Sequence, residues 1–395
     1  MTTRRSAQLV LATLIAIDAT TAAAPQTAGT VLYAAAGSEL SAYVANPAAA
    51  TLEKRASVTL PENVQEAWPH PSRQWLYVGW SNNSAGERGH HGLTAFRVDP
   101  ATGALTPHGQ PVALRARPVY LTVDAGGKHV IVAYNLPSGA SVHRIETAGT
   151  LGAEQSQPPG LDFGIYAHQV RVDPSGRIVV IATRGNVATD GKPEDPGAVK
   201  VYGYRDGVLS IRVSVAPNGG RGFSPRHVDF HPTRPFLFAT IEAQNELHVY
   251  RIDDGPSLGP APLFSRKTLV DPARHAGQAT SAIHVHPNGR FVYLGNRGPA
   301  GGENSIAVFA VNQKTGDPAL IQSADTRGIH PRTFTIDPSG TMLVVANMQR
   351  SGDEPPSLSV FRIGSDGKLS FVRKYPLDRG DSRGLFWTGM MALPR

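Results

Sequence analysis

The chain has no cysteine among its 395 residues. Disulfide bridges, cysteine-based metal sites and a thiol nucleophile are therefore excluded. The sequence also lacks a Gly-x-Ser-x-Gly motif, a P-loop, a dinucleotide-binding glycine fingerprint and a His-Glu-x-x-His motif. These absences argue against serine hydrolase, nucleotide-dependent and zinc peptidase chemistry. We accordingly expect neither a cofactor nor a metal ion.

Long apolar segments are also missing. No stretch shows an apolar stripe at helical spacing, which predicts very little helix. The apolar run from Leu9 to Ile17 is too short to span a bilayer. The run follows Arg4-Arg5 and precedes Ala22-Ala23-Ala24, so residues 1–24 resemble a Sec signal peptide. We predict a periplasmic or secreted protein, with no membrane contact beyond export, whose folded domain spans residues 28–395.

Basic residues are in excess but are not clustered. The formal net charge is +7, yet no run of Lys and Arg exceeds two residues. Such a scattered pattern is typical of a soluble basic surface, and we expect no nucleic-acid partner. The protein is expected to be a monomer.

A strand-turn-strand phrase recurs six times at intervals of 49 to 58 residues. Each copy has a β-branched or aromatic run, a turn such as Asp-Pro-Ser-Gly, and a second apolar run. The turn positions are Pro71, Ala125, Pro174, Pro232, Pro287 and Pro338. A repeat of this length, made of short strands and turns, predicts an all-β fold, the β-propeller, with one four-stranded blade per repeat.

The termini supply the remaining blade. The segment Arg383–Thr388 has the pattern of an inner strand with nothing after it. The segments Thr30–Ala34 and Glu39–Val44 have the pattern of a blade that lacks its first strand. Pairing these ends closes the ring and removes exposed sheet edges. We predict a seven-bladed β-propeller, with eight blades as the alternative.

The first strand of every blade lines the central channel of a propeller, so residues at its start converge on one mouth. These residues are Trp68, His70, Arg117, Tyr120, Tyr166, His168, Arg226, His227, Ser281, His284, His330, Arg332 and Arg383. A second set ends the second strands and comprises Trp80, Asn135, Arg184, Glu242, Arg297 and Asn347. Together they predict a pocket for an anionic, oxygen-rich small molecule, because guanidinium groups bind carboxylates and phosphates. Glu242, an acid among many bases, is the candidate general base.

The spacing of His284 and His286 would suit a metal ion. His286, however, occupies a turn slot that other repeats fill with His70, His231, Asp173 or Asp337. A slot shared by His and Asp indicates turn capping rather than metal binding.

Three phrases resemble the lactonase family of seven-bladed propellers, which includes propeller-type 6-phosphogluconolactonases and carboxy-muconate lactonizing enzymes. They are Ser224–Pro232 followed by Glu242, Ala282–Tyr293 followed by Asn296-Arg297-Gly298, and Pro331–Gly340 followed by Ala346-Asn347. The resemblance implies hydrolysis of a small anionic lactone, 6-phosphogluconolactone being the family's example. It implies site residues His168, Arg226, Glu242 and Arg297. We expect Glu242 and His168 to be catalytic, and Arg226, Arg297, Arg332 and His284 to bind substrate.

The chain departs from the family pattern at three places. Tyr166 stands where the family often has His, Thr183-Arg184-Gly185 replaces Asp-Leu-Gly, and Ala282 replaces an acid. A lost acid and a gained arginine indicate a more anionic substrate or a site that no longer turns over. Two other functions remain open: a non-catalytic propeller that serves as a scaffold or ligand-binding module, and a lactonizing isomerase of the muconate type.

Overall fold

The computed structural model describes residues 29–255, 257–349, 354–377 and 384–394. In these ranges the chain forms 29 strands and three short 3-10 helices, at Gly86–Arg88, Pro217–Gly220 and Pro272–Arg274. None of the helices in these ranges has the length and apolar character needed to cross a membrane. The all-β prediction is confirmed.

The strands form seven antiparallel sheets, the blades of a propeller. The first blade contains β1 (Thr30–Ala36), β2 (Glu39–Asn46) and β3 (Thr51–Thr59). The second contains β4 (Asn63–Pro69), β5 (Trp75–Ser81), β6 (His91–Val98), β7 (Leu105–Pro107) and β8 (Val112–Ala113). The third contains β9 (Pro118–Val123), β10 (His129–Asn135), β11 (Ser138–Ile145) and β12 (Leu151–Glu154). The next two contain β13 (Ala167–Val172), β14 (Ile178–Thr183), β15 (Ala198–Arg205) and β16 (Val208–Val215); β17 (Pro225–Phe230), β18 (Phe236–Ile241), β19 (Glu246–Arg251) and β20 (Phe264–Lys267). The last two contain β21 (Ala279–Val285), β22 (Phe291–Arg297), β23 (Ser305–Val311) and β24 (Pro318–Asp325); β25 (Pro331–Ile336), β26 (Met342–Asn347), β27 (Ser357–Ile363) and β28 (Leu369–Pro376).

The chain ends close the ring in the first blade. The C-terminal strand β29 (Leu385–Ala392) pairs antiparallel with β1, with Thr30 opposite Ala392 and Ala34 opposite Thr388. The Thr388 hydroxyl also donates to the Tyr33 carbonyl over 2.9 Å. The predicted closure by the termini is therefore confirmed, and the eight-bladed alternative is wrong.

The core lies between neighbouring blades. Val180 and Val201 of one sheet pack against Val228 and Leu237 of the next, and each is at most 1% exposed. A blade thus buries its apolar faces on both neighbours, which explains why one repeat cannot fold alone.

Tyrosine side chains at one repeated position join three of the blades to the next blade. The hydroxyls of Tyr33, Tyr77 and Tyr293 donate to glycine carbonyls in the outer hairpins of the following blades, over 2.7 to 2.9 Å. In the turn slot, Asp337 accepts from the backbone N–H of Ser339 and Thr341. The prediction that this slot caps the turn is confirmed, since His286 Nδ1 likewise accepts from Asn288 N–H over 3.1 Å.

Candidate functional site

One end of the channel holds a cavity of about 310 Å³. Among the residues that the structure describes, five arginines and two histidines line its wall, and none of the described lining residues is a carboxylate. These residues are Arg117, Val119, Asn135, Tyr166, His168, Arg184, Arg226, Gly277, Ala279, Arg297, His330, Arg332 and Phe386. The cavity is strongly positive.

The arginines meet because of the hairpin geometry of each blade. Arg226 and Arg332 are the second residues of β17 and β25, whereas Arg297 is the last residue of β22 and Arg184 directly follows β14. In an antiparallel pair, the start of the first strand lies beside the end of the second. Both sets of positions therefore reach the same mouth of the channel.

Glu242 lies at the centre of the arginine cluster. Arg297 Nη2 donates to Glu242 Oε1, Arg226 Nε lies 3.4 Å from the same oxygen, and Arg184 Nη1 donates to Oε2 over 3.3 Å. The Glu242 side chain is only 8% exposed, and the residue is not among those that line the cavity. Its carboxylate contacts three guanidinium groups without lining the cavity itself, and so fixes their positions at the cavity wall.

The charges of this cluster shift the pKa values of its own members. Burial by itself would raise the pKa of Glu242, but the positive charges of Arg297, Arg226 and Arg184 outweigh it and lower that pKa. Burial, followed by the nearby charge of Arg297, lowers the pKa of Arg226 to about 9. At neutral pH the cluster therefore carries three positive charges and one negative charge. An ionised carboxylate with a lowered pKa is a weak proton acceptor.

His168 occupies the wall of the cavity without a charge. Burial, and then the neighbouring Arg226, keep its pKa well below 6.5, so the imidazole is neutral at neutral pH. Its Nδ1 atom is buried and has no hydrogen-bond partner within the described residues. The His168 and His227 rings lie 5.2 Å apart between centroids. A neutral imidazole next to several fixed cations can accept a proton from water or a hydroxyl group.

Two residues that depart from the family pattern contact one another. The Arg184 guanidinium lies over the Tyr166 ring, 4.1 Å from its centroid. Tyr166 has a backbone φ of 58°, which is uncommon for a residue with a side chain. On another wall of the cavity, Arg332 lies 3.8 Å from the centroid of the Phe386 ring. Both aromatic rings orient a guanidinium group at the cavity wall.

The structure gathers most of the site residues expected from the sequence, but not all. His168, Arg226, Arg297 and Arg332 line the cavity, with Glu242 behind the arginines. His284 lies near the other end of its strand and lines a cavity at the opposite end of the channel, with Nδ1 4.0 Å from Asp229 Oδ2. Arg383, placed in the same ring from sequence, lies outside the described residues.

Several lining residues were expected at the pocket from the sequence but were given no catalytic or binding role. Arg117, Asn135, Arg184, Tyr166 and His330 occupy the repeat positions that face the mouth, and the structure places them on the cavity wall. The sequence did not single out Phe386, because the strand that carries it joins a sheet only by pairing with β1 of the first blade.

Fold and site together define a seven-bladed β-propeller with an arginine-lined cavity at one mouth of its channel. Residues 27–380 match the family model described as "Lactonase, 7-bladed beta-propeller", and the chain belongs to this family.

Proteins similar to this chain bear lactonase names. A 6-phosphogluconolactonase of Bacillus subtilis is 30% identical over 289 residues, covering 72% of this chain and 77% of that protein. A 6-phosphogluconolactonase of Serratia proteamaculans is 26% identical over 347 residues, covering 87% and 93%. The solved structure of a periplasmic gluconolactonase from Pseudomonas aeruginosa has a TM-score of 0.72 and 21% identity, and the match covers 93% of this chain and 100% of that one. This last comparison supports the fold.

Proposed function

We propose that the protein is a lactone hydrolase that opens an anionic sugar-acid lactone in the arginine-lined cavity. The observation that carries this proposal is the convergence of five arginines and the neutral His168 on one cavity, whose described lining residues include no carboxylate. Such a surface binds a phosphate or carboxylate and can also stabilise an oxyanion.

Family membership supports the reaction class, and the names of the relatives support the substrate class. The relatives at 30% and 26% identity are 6-phosphogluconolactonases, whose lactone bears an anionic phosphate. We therefore propose 6-phosphogluconolactone or a closely related anionic sugar lactone as the substrate. The additional guanidinium of Arg184 favours a substrate with more than one negative charge.

The proposed reaction uses water as the nucleophile. His168 takes a proton from the water molecule, and the resulting hydroxide adds to the lactone carbonyl carbon. Arg226 and Arg297 stabilise the negative charge that develops on the carbonyl oxygen. The bond between the carbonyl carbon and the ring oxygen then breaks, and protonated His168 returns its proton to that oxygen. The product is a hydroxy acid, which loses its acidic proton to the solvent.

Glu242 has a positioning role in this proposal. Both of its carboxylate oxygens contact arginines, and its pKa is lowered, so it is a weaker candidate for the base than His168. This assignment differs from the expectation drawn from the sequence, where Glu242 was the base. Glu242 would instead act by fixing Arg184, Arg226 and Arg297 toward the substrate.

The gathering of the site residues also favours an enzyme over a scaffold. A scaffold would have no need for His168, Arg226 and Arg297 in one cavity with a shared carboxylate behind them. For the location, we propose export to the periplasm or beyond, on the basis of the signal-like residues 1–24. The N-terminal sequence of the protein recovered from its host tests this.

Lactone hydrolysis tests the function directly. The initial rate of acid release would be measured with 6-phosphogluconolactone and with the uncharged glucono-δ-lactone, each corrected for spontaneous opening. We expect the charged lactone to be the better substrate, with kcat/KM at least about tenfold higher, because one charge-assisted contact is worth that much. His168→Asn should abolish turnover, whereas Arg55→Gln, on an exposed side chain outside the cavity, should not.

Two results would overturn the proposal. One is the absence of turnover of any lactone by folded protein that binds phosphate, which would favour a ligand-binding propeller. The other is cyclisation of a muconate without hydrolysis of either lactone, which would favour the isomerase.

A further inference from the structure

A second cavity, of about 330 Å³, lies at the opposite end of the channel. Most of its wall is apolar or aromatic, and no lysine or arginine lines it within the part of the chain that the structure describes. The lining residues include Glu66, Trp68, Tyr120, Ala282, Phe334 and Trp387. Nothing in the proposed lactone chemistry requires this cavity.

Only a thin layer of protein separates the two cavities. Consecutive residues on an inner strand line opposite cavities: Arg226 and His227, and likewise Arg332 and Thr333. Successive side chains along a strand point to opposite sides, so neighbouring residues can face different cavities. The same strands therefore contribute arginines to the first cavity and mostly apolar residues to the second.

Glu66 is a buried acid on the wall of this second cavity. It is 7% exposed, and its Oε1 atom accepts hydrogen bonds from Trp387 Nε1 and Ala67 N–H. No hydrogen bond joins Oε2 to any described residue, and no cation forms an ion pair with Glu66 within those residues. Oε2 is not among the buried polar atoms that lack a partner, so it is accessible from the cavity that Glu66 lines, where a ligand can reach it.

The protonation state of Glu66 follows from its surroundings. Burial raises its pKa to about 8, against the opposing effects of Trp387, the Ala67 amide, Arg332 and Arg171. Arg171 is paired with Asp229 over 2.8 Å. The titratable residues that line the cavity beside Glu66 are Tyr33, Tyr120, His227, His284 and Asp337. At pH 7 the carboxyl group is therefore neutral. Because Oε1 accepts two N–H groups, the proton lies on Oε2 and is available as a donor.

The other carboxyl group on this wall is already occupied. Asp337 Oδ1 accepts from Thr341 and Met342 N–H, and Oδ2 accepts from Ser339. Among the described lining residues, Glu66 is thus the acid with an unused oxygen, in a wall that is mostly aromatic and aliphatic.

We propose that this second cavity binds an uncharged aromatic molecule that bears a carbonyl or similar acceptor oxygen. That oxygen accepts a hydrogen bond from the Glu66 carboxyl group. The aromatic ring packs against Trp68, Phe334 and Trp387, which all line the cavity and lie on three adjacent inner strands, β4, β25 and β29. The proposal does not depend on lactone hydrolysis in the other cavity.

Titration calorimetry with acetophenone as the probe tests this site. We expect saturable binding at pH 7 with a Kd on the order of 1 mM, as is usual for a ligand of this size. Glu66→Leu should weaken binding at least about tenfold, since the donor is lost. Ala282→Leu, which places a larger side chain in the cavity, should weaken it as well. Thermal unfolding would establish that each variant is folded.

The pH dependence separates a donating carboxyl group from simple apolar packing. Raising the pH from 7 to 9 ionises Glu66 and should weaken acetophenone binding about tenfold, given its pKa of about 8. Glu66→Gln keeps a donor that does not titrate, so it should bind acetophenone equally at both pH values.

Phosphate distinguishes the two cavities, because it should occupy the arginine cavity and leave acetophenone binding unchanged. Displacement of acetophenone by phosphate, a pH-independent Kd in the wild type, or no saturation by 10 mM, about ten times the expected Kd, would each overturn the proposal.

Discussion

Arg226 and Glu242 form a buried ion pair at the centre of the candidate site, with Nε and Oε1 3.4 Å apart and the two side chains 1% and 8% exposed. Two further arginines share the same carboxylate. A single negative charge therefore permits three guanidinium groups to lie together beside a cavity.

The first prediction concerns this shared charge. Glu242→Gln should lower the free energy of unfolding by roughly 3–5 kcal/mol, because it leaves the buried Arg226 and the partly buried Arg184 and Arg297 without their counter-charge. Urea denaturation at pH 7 measures this loss. Glu39→Gln, which removes the exposed partner of Lys54, is the matched control and should cost less than about 1 kcal/mol. Equal losses in the two variants would contradict the central role of Glu242.

The second prediction concerns Arg184, which replaces a residue that is often leucine in the family. Arg184→Leu should weaken the binding of 6-phosphogluconate by roughly tenfold, because one charge-assisted contact is lost. The binding of gluconate, which carries a single charge, should change less. Tyr166→Phe keeps the ring beneath the guanidinium and is the matched control. Calorimetry with both ligands measures the loss of affinity for each. An equal loss for 6-phosphogluconate and gluconate would show that Arg184 does not bind the second negative charge.

The third prediction concerns the protonation of His168. Its pKa lies well below 6.5 because of burial and the neighbouring arginines, so the neutral base is present throughout the neutral range. The kcat/KM for the lactone should be nearly constant from pH 6.5 to 8, and should fall only at lower pH as His168 becomes protonated. A fall that begins above pH 6.5 would assign the base to another group.

The fourth prediction concerns stability in acid. Burial, and then Arg226, place the pKa of His227 well below 6.5, whereas an unfolded histidine titrates near about 6.5. As the pH falls below that value, the unfolded chain binds a proton that the folded protein does not. Stability should then decrease by up to about 1.4 kcal/mol per pH unit for this histidine. Urea denaturation between pH 7 and 5 measures the slope. His227→Gln should reduce it, and His90→Gln, on an exposed side chain, is the control.

The fifth prediction concerns ring closure. Removal of residues 385–395 deletes β29, exposes the edge of β1 and takes away the buried side chain of Trp387. Such a chain should lose cooperative unfolding and aggregate, because an unpaired inner strand leaves an open edge. Circular dichroism during heating measures this. Removal of residues 1–24 is the control and should leave Tm unchanged, since the family match begins at residue 27.

Much of the fold could be predicted because the blade repeat has local causes. Turns such as Asp337–Gly340 need residues that cap the backbone or accept a positive φ, and Gly340 has a φ of 74°. The sequence shows these turns at regular intervals. The interval in turn sets the number of blades and places Arg226, Arg297 and Arg332 at the same mouth of the channel.

The sequence by itself therefore determined the blade repeat, the closure by the two termini and the arginine-rich mouth, because these features depend on strand register. Only the tertiary structure decided that Glu242 lies behind the arginines and that His284 faces the opposite cavity. It also placed Glu66 against Trp387, 321 positions away in the chain. Whether a side chain near the channel axis reaches one cavity, the other, or the layer between them depends on how seven inner strands pack around that axis. That packing is a long-range property which no local pattern records.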